Sequence, residues 1–98
     1  MAIQLLAMTS LNPDAESALN AYLNVVGPLM ESAGAKIVSR FELSENIAGS
    51  SEFQFVTVVE YPDEASVKTV FESEEYRSLA KVKKLAFSKY QVNVTKSI

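Results

Sequence analysis

The side chains able to do chemistry here are set as much by what is missing as by what is present. The 98 residues contain neither histidine nor cysteine. That removes the commonest acid/base and metal ligand together with the thiolate nucleophile. Serine–histidine, cysteine–histidine and zinc-hydrolase mechanisms are excluded on composition, as are disulfides and thiolate metal sites. What remains is guanidinium, carboxylate, ammonium, amide and phenol chemistry. Four residues on strand-like segments stand out as ligand-binding candidates: Arg40, Glu60, Gln54 and Lys36. Arg40 would hold a carboxylate or enolate oxygen through paired hydrogen bonds. Glu60 would serve as a base if desolvation raised its pKa. The ordinary alternative is structural, with Lys36 and Glu60 as a cross-strand ion pair and Arg40 satisfied by Glu42 or by a partner chain. No catalytic motif emerges.

Other polar residues have simpler explanations. Tyr22 and Tyr76 fall on apolar helix stripes, where packing explains them better than catalysis. Met8 and Met30 read as core fillers. The acidic runs Asp63-Glu64 and Glu72/Glu74/Glu75 stand at helix starts, where capping and the macrodipole account for them. Their spacing does not match a calcium loop, and no metal or cofactor is expected. Lys81, Lys83 and Lys84 read as a solvated helix face.

These residues must be positioned by regular elements, and the chain punctuates itself clearly. Residues 2–9 are apolar on both parities, as in a strand buried on two sides. Asn12-Pro13-Asp14 predicts a helix start, with Asn12 as N-cap and Pro13 at the first helical position. Ala15, Leu19, Tyr22, Leu23, Val26, Leu29, Met30 and Ala33 then form one apolar stripe that Gly34 ends. Gly27-Pro28 predicts a kink or a restart within it. Residues 36–43 read as a second strand, 44–51 as a polar loop, and 53–61 as the strongest strand in the chain. Pro62-Asp63-Glu64 opens a second helical stretch, and Ser73-Glu74-Glu75 marks a fresh N-terminus within it. Residues 88–95 alternate as a last strand.

The order is β-α-β-β-α-β across a single domain of residues 1–98, the split βαβ or ferredoxin-like arrangement of the α+β class. In it a four-stranded antiparallel sheet carries both helical stretches on one face, with strands one and three in the middle. The other face is bare, exposing roughly 400 Å² of sheet. The first strand offers either Ile3/Leu5/Ala7 or Gln4/Leu6/Met8 to that face. The third offers Phe53/Phe55/Thr57/Val59 or Gln54/Val56/Val58/Glu60. Either parity leaves aliphatic surface exposed, which predicts a homodimer joined sheet to sheet. If Gln54, Val56, Val58 and Glu60 face that interface, Lys36, Val38, Arg40 and Glu42 are their expected neighbours. Together they would line an apolar cavity with a few convergent polar groups.

The stretch EYPDEASVKTVFESEEYRSLAKVK at 60–83 resembles a bacterial family of undefined function in the dimeric α/β-barrel superfamily. Its aromatic-Pro pair matches Tyr61-Pro62, and its Ser-x-Glu-Tyr segment followed by Leu matches Ser73, Glu75, Tyr76 and Leu79. Pro13, Gly34, Lys36 and Arg40 fit its other features. Phe41-Glu42, Glu74 and Lys83 depart from its usual glycines, Pro and Arg. The resemblance implies the fold and a homodimer whose sheets enclose a barrel-like cavity, but no activity. Haem-degrading relatives rely on a histidine, which is lacking here.

A net charge of −3 without a dense basic stripe argues against nucleic acid as a partner. No apolar run is long enough to span a membrane, and the start MAIQLLAM lacks the basic region of a signal peptide. Cytoplasm is the default location. The expectation is a homodimer that binds a small molecule between its two sheets. Alternatives are a cofactor-independent enzyme of monooxygenase or isomerase type, and a purely structural dimer.

Overall fold

A computed structural model of the chain describes residues 2–50 and 52–98. Met1 and Ser51, at the start of the chain and the end of the expected loop, lie outside them. Four strands, β1 (Ile3–Leu11), β2 (Lys36–Glu42), β3 (Phe55–Tyr61) and β4 (Phe87–Val94), form one antiparallel sheet in the order β2-β3-β1-β4. The two most apolar strands occupy its centre, as their composition requires. Helix α1 (Glu16–Ser32) crosses from β1 to β2. Helices α2 (Glu64–Phe71), α3 (Glu74–Arg77) and α4 (Ala80–Ala86) cross from β3 to β4.

The register settles which parity faces the helices. Leu5 pairs with Val59 and Ile3 with Tyr61. Leu5, Val59 and Tyr61 are buried against Val70 of α2, with Leu29 and Met30 of α1 packed on them. Odd-numbered residues of β1 and β3 therefore point into the helix layer. Leu6, Met8, Val56 and Val58 point to the bare side and are only half-buried. Met8 is thus a sheet-face residue and not a core filler. The second strand keeps this alternation only up to a bulge. Lys36 pairs with Glu60 and Ile37 with Val59, but the register then shifts, so that Ser39 pairs with Val58 and Arg40 with Thr57. The extra residue, Val38, turns Arg40 and Glu42 to the helix side and Phe41 to the bare side.

Local chemistry explains most element ends. Asp63 caps α2, its Oδ1 accepting from the Ser66 backbone N–H at 2.8 Å. Ser73 caps α3 in the same way, accepting from the Tyr76 N–H at 3.1 Å. Asn12 does not cap α1, which starts at Glu16 with no side-chain cap. Its Nδ2 instead donates to the carbonyls of Lys84 and Leu85, closing the C-terminal end of α4, 72 and 73 residues away in sequence. α1 runs unbroken through Gly27-Pro28. Asn24, Gly27 and Pro28 are all exposed, so water meets the carbonyl that the proline leaves unpaired. Among the described residues no helix is long and apolar enough to cross a membrane, and no group of three or more acidic residues could hold a metal ion.

Two glycines on α1 and its exit should respond oppositely to alanine. Gly34 has φ +80°, and a Cβ there would meet Pro62 Cγ at 3.0 Å, whereas Gly27 is helical with nothing within 4 Å. Gly34→Ala is expected to cost about 1–2 kcal/mol or more. Gly27→Ala is expected to gain up to about 1 kcal/mol. Urea denaturation reads both as opposite shifts of midpoint at constant slope.

Candidate functional site

A cavity of about 320 Å³ lies between the sheet and the helices, on the opposite side of the sheet from the expected one. Its floor is low because small side chains occupy the middle of the sheet. Ala7 is paired with Thr57, and Thr9 stands beside them on the same face. Tyr22, Val26 and Met30 of α1 form part of the roof, with Val70 and Phe71 of α2 at one side. The helix layer does not reach over β2, whose residues are almost all exposed. The mouth opens there, beside Ile37 and Arg40 of β2 and Leu23 of α1. Ile37 is 54% and Leu23 50% exposed although both line the cavity.

The far wall carries a hydroxyl chain. Tyr22 of α1 and Tyr90 of β4 are 2.8 Å apart at their hydroxyls, and Tyr90 and Tyr76 of α3 are 2.7 Å apart. Lys83 of α4 donates from Nζ to the Tyr76 hydroxyl at 3.1 Å. Its ammonium lies 4.6 Å from the Tyr76 ring centre and 4.5 Å from that of Tyr90, a double cation–π contact. Edge-to-face contacts of Tyr22 with Phe87 at 5.2 Å, and of Phe71 with Tyr76 at 4.9 Å, fix the rings. Burial pushes the hydroxyl pKa of Tyr22, Tyr76 and Tyr90 well above the ordinary phenol value, so all are neutral at physiological pH. Burial lowers that of Lys83. Lys83 therefore departs from its expected solvated face, lying half-buried across the two rings.

The four candidates from the sequence are dispersed. Arg40 alone lines the cavity, exposed at its mouth, and among the described residues it forms no ion pair, with Glu42 or otherwise. Glu60 and Lys36 are register partners on the bare face, again without an ion pair among the described residues. Gln54 is a structural pin: its Oε1 accepts from the Leu11 N–H at 2.8 Å, and its own N–H donates to the Thr9 carbonyl at 2.9 Å. The β2 bulge and the parity of β3 separate residues that even spacing had grouped. The tyrosine chain was missed, because each tyrosine fits an apolar stripe. The available signal was the residue type itself, since a buried phenol needs a hydrogen-bond partner where phenylalanine would not.

The cavity is thus a mainly apolar slot with a cation at its mouth and phenols at its back, and with no carboxylate among the described residues of its lining. Such a lining would suit an apolar molecule bearing oxygen. Proton abstraction by Glu60 would have to take place on the other side of the sheet.

The raised phenol pKa values make stability depend on alkaline pH. The folded chain keeps phenol protons that the unfolded chain releases near pH ~10. Their contribution is complete below that pH and is lost as pH rises through the folded values. The lowered pKa of Lys83 acts in the opposite sense, as one group against four, since burial raises Tyr61 as well. Unfolding free energy from urea titrations should fall above about pH 10, and Tyr→Phe at 22, 76 and 90 together should remove most of that fall.

Comparison with known proteins bears on the fold. No curated protein matches the chain. A protein of unknown function from Rhodopseudomonas palustris superposes with TM-score 0.83 at 23% identity, covering 99% of this chain and 82% of that one. A dabb family protein with a ferredoxin-like fold from Mesorhizobium loti gives 0.64 at 10% identity, over 99% and 97% of the two chains. A dimeric protein of unknown function with a ferredoxin-like fold from Bacteroides fragilis gives 0.59 at 12%, over 98% and 96%. These likenesses carry the α+β ferredoxin-like architecture. At the level of family, residues 5–96 match the model described as Domain of unknown function (DUF1330). The chain belongs to the DUF1330 family.

Proposed function

We propose that the protein is a small-molecule binding protein that holds an apolar, oxygen-bearing ligand in the cavity between its sheet and helices. The observation that carries this reading is the cavity of about 320 Å³, mainly apolar, with Thr9 and Thr57 on its floor, Arg40 at the mouth and the hydroxyl chain at the back. Its size and make-up are those of small-molecule pockets generally. Arg40 and Tyr90 stem from opposite edge strands, three strand spacings or roughly 14 Å apart at the backbone. A ligand with a carboxylate at the mouth and a second oxygen inside would engage both. Binding is favoured over catalysis because the lining offers no carboxylate base.

The bare sheet face supports a homodimer in the same reading. Leu6, Met8, Val56 and Val58 are half-buried there, and Phe41 is 56% exposed beside Val56. Pairing two such faces about a two-fold axis would cover them. Lys36 and Glu60 would then serve the interface, leaving the ligand site to each protomer.

Native mass spectrometry of the untagged protein tests both parts. The expected result is a dimer carrying additional small-molecule mass. Ala7→Leu, which fills the cavity floor, should keep the dimer and lose the mass. Val58→Glu should yield monomer. Bound mass that survives Ala7→Leu would remove the cavity reading, and wild-type monomer at micromolar concentration would remove the dimer. Arg40→Ala should weaken binding of 2-naphthoate about 10-fold or more, as expected for a lost charged hydrogen bond, while leaving uptake of neutral naphthalenes unchanged.

A further inference from the structure

The hydroxyl chain can be counted proton by proton. An ammonium only donates, so the Tyr76 oxygen accepts from Lys83 Nζ. The Tyr22, Tyr76 and Tyr90 hydroxyls bring three protons, and the two bonds that join them use two. The third proton has no acceptor among the described residues. All three tyrosines line the cavity. Their rings are held in place, Tyr22 by Phe87 at 5.2 Å and Tyr90 by Phe87 at 5.2 Å, so the spare donor is presented by a preorganised wall.

We infer that this wall selects ligands bearing a carbonyl or carboxylate oxygen on an apolar body, which accepts the one O–H proton that the Tyr76–Tyr90–Tyr22 chain leaves unpaired. The inference rests on the cavity reading above and names the chemistry of its occupant. Lys83 has the role of a positioning residue. Its donation to the Tyr76 oxygen polarises that hydroxyl, and polarisation along a hydrogen-bonded chain strengthens the donor left free. An apolar ligand without an oxygen leaves that donor buried and unpaired, which a site of this kind penalises.

Two nearly isosteric probes differing by one oxygen test the inference: 2-acetylnaphthalene and 2-ethylnaphthalene, measured by equilibrium dialysis against the full-length protein. The ketone should bind roughly 10-fold more tightly. Its carbonyl stretch should move to lower frequency on binding. In the Tyr22→Phe/Tyr76→Phe/Tyr90→Phe variant the ketone should lose this advantage and the frequency shift. Retained binding of 2-ethylnaphthalene by that variant shows that its cavity still forms. Equal wild-type affinities for the two probes, or a ketone preference that survives in the triple variant, would overturn the inference and leave the cavity reading standing. Failure of both probes to bind wild type would overturn both.

Discussion

Buried phenols impose the condition on which the helix layer depends. Tyr22, Tyr76 and Tyr90 arrive from α1, α3 and β4, each on an otherwise apolar surface, and each brings a hydroxyl that water no longer serves. Left alone, such a group costs about 1–3 kcal/mol. Joined in one chain and closed by Lys83, the hydroxyls satisfy one another except for a single proton. This tie draws α1 and α3 down onto the β4 side of the sheet. The β2 side has no equivalent, and β2 stays exposed. With small side chains at Ala7, Thr9 and Thr57 below, the two layers part towards β2 and a cavity opens between them.

The same sheet has one face towards the cavity and one bare, and one residue decides how β2 contributes to each. Without the bulge at Val38, Arg40 would share the bare face with Lys36 and Glu60. With it, the guanidinium stands at the cavity mouth, and Phe41 joins the apolar surface beside Val56. A period-two element has no other means of changing sides within seven residues. The inserted residue therefore separates a cavity-facing charge from an aromatic on the bare face.

Ferredoxin-like sheets host many unrelated activities, and membership of a family of unknown function supplies no chemistry by itself. The chemistry has to come from the lining. Here it amounts to one guanidinium, a set of phenols, two threonine hydroxyls and a wall of aliphatic and aromatic carbon. Such a lining suits the ligand recognition proposed above. Among the described lining residues there is no carboxylate, and the chain has no histidine.

Residue pattern alone determined the element order, the central places of β1 and β3, the caps at Asp63 and Ser73, and the absence of thiol and imidazole chemistry. These follow from local periodicity, from backbone groups a few residues apart, and from composition. Sequence also supplied Arg40 as a binding candidate, on its type. Tertiary structure decided the rest. It chose the parity facing the helices, turned Arg40 across the sheet through the Val38 bulge, and moved Asn12 from one helix start to another helix's end. It also brought Tyr22, Tyr76, Lys83 and Tyr90 together. The physical reason is common to all of these. Sheet parity, strand register and hydroxyl partnership depend on which distant segment lies opposite, and a sequence read along its length carries spacing but not opposition.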